Sequence, residues 1–254
     1  MPPKRQNLEK ITADEVIGRL RSTSDTVIIA SMPRYGIITD NALGVSSTHI
    51  NEIARSIGTD HALALELWDT DIHEARLIAP IIEEPALVSG EQMDRWTADF
   101  KTWDLCDQCC LKLYHRTEFA NQKCFEWSGN DREYVKRASF ALMASLALHD
   151  KNVLDEKFRE FFLPIARESV DKRNMVKKSV NWALRQIGKR NITLNGESIA
   201  VARVLLQSDA ASARWIARDA LKELEGEAVQ KRLETRRLKE SPRARFSNGR
   251  FVAY

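Results

Sequence analysis

Apolar positions in this chain recur at intervals of three and four residues and almost never alternate, a helical rhythm. Leu8, Ile11, Val16, Ile17 and Leu20 predict a helix over 7–23, with Thr12 and Glu15 spaced as a capping box. Thr26 to Met32 is a short apolar run stopped by Pro33, followed by loop-like stretches at 35–37 and 43–45. Ser46-Ser47-Thr48 opens a helix through Ile50, Ile53 and Ile57 that Gly58 closes. Further helices are predicted over 61–68, 72–82, 91–101, 103–114, 118–127 and 132–149. The series ends with 155–170, 173–189, 198–207 and 212–225, and no segment reads as a strand.

The helices echo one another. Glu133-Tyr-Val-Lys-Arg-Ala-Ser139 is matched 41 residues later by Asn174-Met-Val-Lys-Lys-Ser-Val180. Ser212 to Ala217 is a weaker third copy, and His73 to Leu77 an earlier one. A period near 40 built from helix pairs predicts an all-α, HEAT-like or armadillo-like repeat solenoid with a concave face. Arg76, Arg137, Lys178 and Arg214 occupy similar places in successive second helices. Such a row is either a phosphate track or a set of solvated charges balanced by nearby carboxylates.

Composition narrows the class. The chain has 254 residues, 43% of them hydrophobic and 30% charged, so a sizeable core is available. Its ten glycines and seven prolines favour long helices over a turn-rich β fold. The absence of a membrane-length apolar run and of a signal-peptide pattern points to a cytoplasmic protein with no membrane partner. The net charge of +3 hides an asymmetry. Residues 231–254 carry eight cations against two carboxylates, a net +6, which leaves residues 1–230 at −3. The expected organisation is a repeat domain over 1–230 and a basic, flexible tail over 231–254. That tail is either a DNA-binding arm or a solubilising extension.

Trp103 and Asp107 stand four residues apart, so a helix puts them on one face, an aromatic plate beside a carboxylate. The plain alternative is a buried tryptophan next to a solvated aspartate. Asp104 points elsewhere and reads as a helix-start residue after Thr102. Trp182 shares a helix face with Lys178, with Lys177 and Arg185 in the same helix, an odd setting for a purely apolar plug.

Trp-Asp-x-x-Asp at 103–107, Lys-Arg-Ala at 136–138 and Trp-Ala-Leu-Arg at 182–185, in that order, resemble the AlkD-like DNA alkylation repair family. These are HEAT-like-repeat DNA glycosylases, and the resemblance covers roughly residues 30–225. It implies a catalytic set of Trp103, Asp107, Arg137 and Trp182, with Arg76, Lys136, Lys177, Lys178, Arg185 and Arg214 on DNA. It also implies a monomer acting on duplex DNA that contains alkylated bases, without a cofactor. N3- or N7-alkylation makes a purine cationic and already a good leaving group. A carboxylate and two indole faces then suffice to stabilise charge building on the sugar. The readings to be distinguished are a monofunctional glycosylase of 3-methyladenine and 7-methylguanine, a non-catalytic binder of distorted or branched DNA, and a protein-interaction scaffold.

Cys106, Cys109 and Cys110, with His115 and Cys124 nearby, offer soft ligands. Their spacing lies within a helix rather than in a zinc knuckle, so no metal is expected. His49, His61, His73 and His149 read as ordinary residues.

Overall fold

The computed structural model describes residues 11–37, 40–150 and 153–240. Its elements are α1 (Ala13–Ser22), α2 (Thr26–Ser31), α3 (Ser47–Ile57), α4 (His61–Asp69) and α5 (His73–Ile82). There follow α6 (Gly90–Ala98), α7 (Trp103–Lys112), α8 (Ala120–Ser128), α9 (Glu133–His149) and α10 (Asp155–Glu160). The last are α11 (Phe162–Glu168), α12 (Asn174–Gly188), α13 (Ile192–Leu206), α14 (Ala211–Leu224) and α15 (Glu227–Glu240). Short 3₁₀ turns sit at 32–35, 85–87 and 114–116. No strand occurs among the described residues, and no helix among them is long and apolar enough to cross a membrane.

The local signals act as expected at the starts of α1 and α3. Thr12 accepts from the Glu15 amide while the Glu15 carboxylate accepts from the Thr12 N–H, completing the capping box. Ser46 caps α3 through the His49 amide. The expected first helix began at residue 7, and its first four residues lie outside the described ones. The repeated heptapeptides and their weaker copies all open helices: α5, α9, α12 and α14.

The chain forms two compact units, Met1–Phe119 and Ala120–Tyr254. In the first, α3, α5 and α7 pack in succession, with α4 against α5. Its core holds a parallel stack of Trp68 on Trp96, ring centres 4.1 Å apart, with Phe100 edge-on to Trp68. Glu74 is buried and its carboxylate accepts the amides of Leu43, Gly44 and Val45 at 2.8, 2.7 and 3.2 Å. Gly44 is left-handed (φ +74°), and a Cβ there would collide with the Asp25 carbonyl. The loop is therefore fixed by a charge and a glycine that periodicity does not register.

In the second unit α9, α12 and α14 pack in succession, with α8 and α13 beside them. Every residue of α9 from Val135 to Ala147 is buried, as in a central helix, so no polar stripe remains along that stretch. Ala138, Ala141, Ala144, Ser179 and Ala183 are all buried, and their small side chains let α9 and α12 approach closely. Two expectations change here. The single helix over 155–170 divides at Phe161, because Pro164 has no N–H to continue it and fits only a first turn. The helix expected at 198–207 begins six residues earlier, capped by Asn191 on the Leu194 amide. Thr193, Asn195 and Gly196 are weak helix formers, but buried Asn195 donates to the Gly188 carbonyl at 2.9 Å and accepts from Gln230 at 3.0 Å. Finally, α15 runs across the boundary drawn at residue 230 and buries Val229 and Leu233. Residues 241–254 of the basic tail lie outside the described residues.

Candidate functional site

In the first unit the site is built on α7. Leu105, Cys106, Cys109 and Cys110 are buried, which turns the Trp103 and Asp107 side towards the half-exposed face. The Trp103 indole N–H donates to the Tyr35 carbonyl at 2.8 Å, so a turn 68 residues earlier fixes the ring. Asp107 follows one helical turn later on the same half-exposed side. Trp103 and Asp107 thus share one side of α7, one turn apart.

Asp104 has a different role from the one its position suggested. Its carboxylate lies 2.9 Å from Nε2 of His73, itself buried at the start of α5. Burial opposes the charge, but hydrogen bonding and charge from His73, aided by Thr102 and the Leu105 amide, hold Asp104 below its usual carboxylate range. Thr102 adopts the extended N-cap backbone but makes no side-chain cap bond. His73, read from the sequence as ordinary, is therefore the residue that seats the start of α7. The available signal is positional: His73 and Asp104 both open second helices of neighbouring repeats.

Arg76 lies in the same unit and is already engaged. It pairs with Asp71, approaches Asp99 at 3.7 Å, donates Nε to the Trp68 carbonyl at 2.9 Å and covers the Trp68 ring. It closes the C-terminal end of α4 and spends its charge on carboxylates.

In the second unit Arg137 is buried on α9 and donates Nη1 to the Met175 carbonyl at 2.8 Å, tying α9 to the first turn of α12. Its neighbour Lys136 is also buried and pairs with Glu168 at 2.5 Å and Asp171 at 3.3 Å. Asp171 is held down at about 2, chiefly by its hydrogen bond to Arg173, against the cost of burial and with help from Lys136. Trp182 is half-buried on α12. With the Gln186 amide turned so that its oxygen faces the donors, it accepts from the Trp182 N–H at 3.0 Å and from Lys189 at 3.1 Å.

The remaining expected DNA contacts divide in two. Arg185 pairs with Glu223 at 2.5 Å and approaches Asp219 at 3.5 Å, so its charge is balanced locally. Arg214 donates to the Ser208 carbonyl at 2.8 Å just beyond α13. Lys178 is exposed and forms no ion pair among the described residues. Lys177 sits over the ring of Trp215, 4.5 Å from its centre, and Trp215 is itself exposed. Sequence spacing did not single out Trp215, although it stands four residues into a repeated helix start.

All four cysteines are buried and outside any disulfide, three in the first unit and Cys124 in the second. Burial pushes the Cys109, Cys110 and Cys124 thiols up, favouring the protonated form rather than a metal-binding thiolate. No group of three or more His, Cys, Asp or Glu is placed to hold a metal among the described residues.

In fold, the chain is similar to a solved structure from a family described as related to the HEAT-like repeat DNA glycosylases and as having affinity for branched DNA structures. The two superpose with a TM-score of 0.73 at 18% identity, over 88% of this chain and 96% of the other. A designed armadillo repeat protein aligns over 83% of this chain and 98% of its own, at 13% identity and a TM-score of 0.38. No curated protein matches the chain closely enough to count as a relative. The family model described as DNA alkylation repair enzyme matches residues 16–224, so this all-α, HEAT-like repeat chain belongs to the DNA alkylation repair family.

Proposed function

We propose that this protein is a monomeric, cytoplasmic, monofunctional DNA glycosylase that releases 3-methyladenine and 7-methylguanine from duplex DNA. The observation that carries the reading is the α7 pair: a tryptophan ring fixed by the Tyr35 carbonyl, with a carboxylate one turn along the same half-exposed face. The chemistry asks for little else. As the C1′–N bond breaks, its electron pair neutralises the cationic purine and positive charge builds on the sugar. Asp107 stabilises that charge and orients a water whose oxygen bonds to C1′. The water's proton passes to Asp107 or to solvent. The Trp103 face attracts that cationic sugar through its quadrupole, the kind of contact the family resemblance also implies for Trp182. Arg137, tied to the Met175 carbonyl, is the cation that this reading sets against a backbone phosphate. Lys177, Lys178 and Arg214 are the cations of the expected set whose charge carboxylates do not absorb, so they carry the backbone contacts in this reading.

The test is release of free methylated bases from methylated duplex, followed in single turnovers. Asp107→Asn is expected to slow 7-methylguanine release by about 100-fold or more, since one preorganised electrostatic group contributes about 10²–10³. Its circular dichroism and melting should match the parent protein. Unchanged excision by that variant would sink the catalytic assignment.

A second reading, a non-catalytic binder of branched DNA, is favoured by the fold relative with affinity for such structures. It expects no base release by the unaltered protein and tighter binding to a four-way junction than to duplex.

A further inference from the structure

A basic pocket of about 440 Å³ opens in the second unit where α9 and α12 end. It is lined by Lys189 and Arg190 from the end of α12, Arg232 and Arg236 from α15, and Asp155. A water molecule takes about 30 Å³ of liquid, so the space holds a phosphodiester with its hydration. Asp155 is occupied by Asn191, whose amide donates to both carboxylate oxygens at 2.9 and 3.0 Å. Lys189 is balanced by Glu223 at 2.6 Å. Arg190, Arg232 and Arg236 line the pocket without an ion pair among the described residues.

Arg190 and Arg236 have an evident structural duty, because each donates to a carbonyl at a helix end, Ala147 and Arg190 respectively. That duty uses only part of a guanidinium's five donors. Arg190 is held flat against Phe158, its carbon 3.9 Å from the ring centre, and its Nε has no hydrogen-bond partner among the described residues. Arg232 makes no ion pair or hydrogen bond among them. Arg232 is therefore the pocket's available cation, whereas the unpartnered Nε of Arg190 is buried.

The cations continue beyond the pocket. Helical spacing sets Lys231, Thr235 and Lys239 in one row of α15 and Arg232 and Arg236 in the next, along a second open hollow of about 450 Å³. Glu234 is turned away and pairs with Arg237 at 2.6 Å. From Lys231 to Lys239 the row spans about 12 Å at 1.5 Å per residue. A single small anion matches the pocket alone, whereas a strand with successive phosphates matches pocket and row together. The pocket also adjoins Trp182, since Gln186 lines it and accepts the Trp182 N–H.

We propose that the Lys189–Arg190–Arg232–Arg236 pocket and the basic row of α15 bind the DNA backbone flanking the lesion, as a phosphate subsite next to Trp182. This inference rests on the DNA-repair reading above. The test is anisotropy of a fluorescent duplex with the full chain across a salt series, comparing the parent protein, Arg232→Ala, Arg232→Ala/Arg236→Ala and Arg237→Ala. Each phosphate that a variant leaves unneutralised reduces the slope of log K against log salt by about 0.9. The expected reductions are about one for the single variant and about two for the double. Arg237→Ala, which removes the same charge from the other face, should leave the slope unchanged. Arg232 has no internal partner among the described residues, so the single variant reads out even if the double one misfolds. If the parent binds duplex and the Arg232 variant keeps its slope, the pocket assignment is overturned while the repair reading stands. Displacement of duplex by inorganic phosphate beyond chloride at equal ionic strength, abolished by Arg232→Ala, would make this a free-phosphate site and also overturn it. A parent protein with neither duplex affinity nor base release would instead remove the repair reading itself.

Discussion

Asp104 and Asp107 lie three residues apart on α7 and meet different surroundings. Asp104 is clamped by buried His73, whereas Asp107 stands beside Trp103 on the half-exposed face. The carboxylate that binds His73 serves the fold, and the one on the Trp103 side of α7 is the one the catalytic reading uses. The same logic applies to Asp171, which Arg173 grips with Nε at 3.0 Å and Nη2 at 2.5 Å while also donating to the Asp131 carbonyl. Asp171 titrates at about 2 in the fold against an ordinary 3.8. In the unfolded chain it takes up a proton at a pH where the folded protein still keeps the charge. Its contribution is thus full above 3.8 and disappears as pH falls towards 2. Arg173→Met is expected to cost about 1–3 kcal/mol at neutral pH, as removal of one member of a charged hydrogen-bonded pair does. Urea melts at pH 5 and near pH 2 check it, because the gap between variant and parent should narrow at the lower pH. A constant gap would show that Arg173 does not hold Asp171.

At the scale of elements, the α12 end is a closely packed junction in the second unit. A Cβ on Gly188 would lie 2.8 Å from both Leu224 methyls and 2.9 Å from the Ser198 side chain. Helix propensity alone favours Gly188→Ala by about 1 kcal/mol. Overpacking opposes it by about 1–3 kcal/mol, because Leu224 and Ser198 are both fully buried. The net expectation is a lower melting temperature, and an unchanged or higher one would mean that α14 yields readily. The helix pattern itself was legible, since repeat starts, the capping box and most boundaries follow from apolar spacing. The early start of α13 was not, because its cause is an Asn195 side chain reaching Gly188 and Gln230 rather than any local preference. Nor was the division at Phe161 read from periodicity, although Pro164 carried the signal.

For the whole molecule, charge segregation matters more than its total. A net +6 in residues 231–254 sets a basic end against an acidic remainder, and α15 brings part of it onto the second unit. Affinity for duplex is expected to fall steeply with salt, about tenfold or more between roughly 50 and 200 mM if several phosphates are neutralised. A titration indifferent to ionic strength over that range would exclude backbone recognition. By itself the sequence determined the all-α repeat class, the family and the Trp103–Asp107 face, because periodicity and motif spacing are local quantities. Only the tertiary structure decided which charges remain available. Arg76, Lys136 and Arg185 look equivalent to Lys178 along the chain, yet Lys136 and Arg185 meet carboxylates from other helices and Arg76 meets Asp71 and Asp99 in the adjoining turns. His73, Trp215 and the Arg190–Arg232 pocket emerged the same way. For Lys136 and Arg185, whether the charge is spent or available depends on partners about 30 to 40 residues away in sequence, and packing alone brings those within reach.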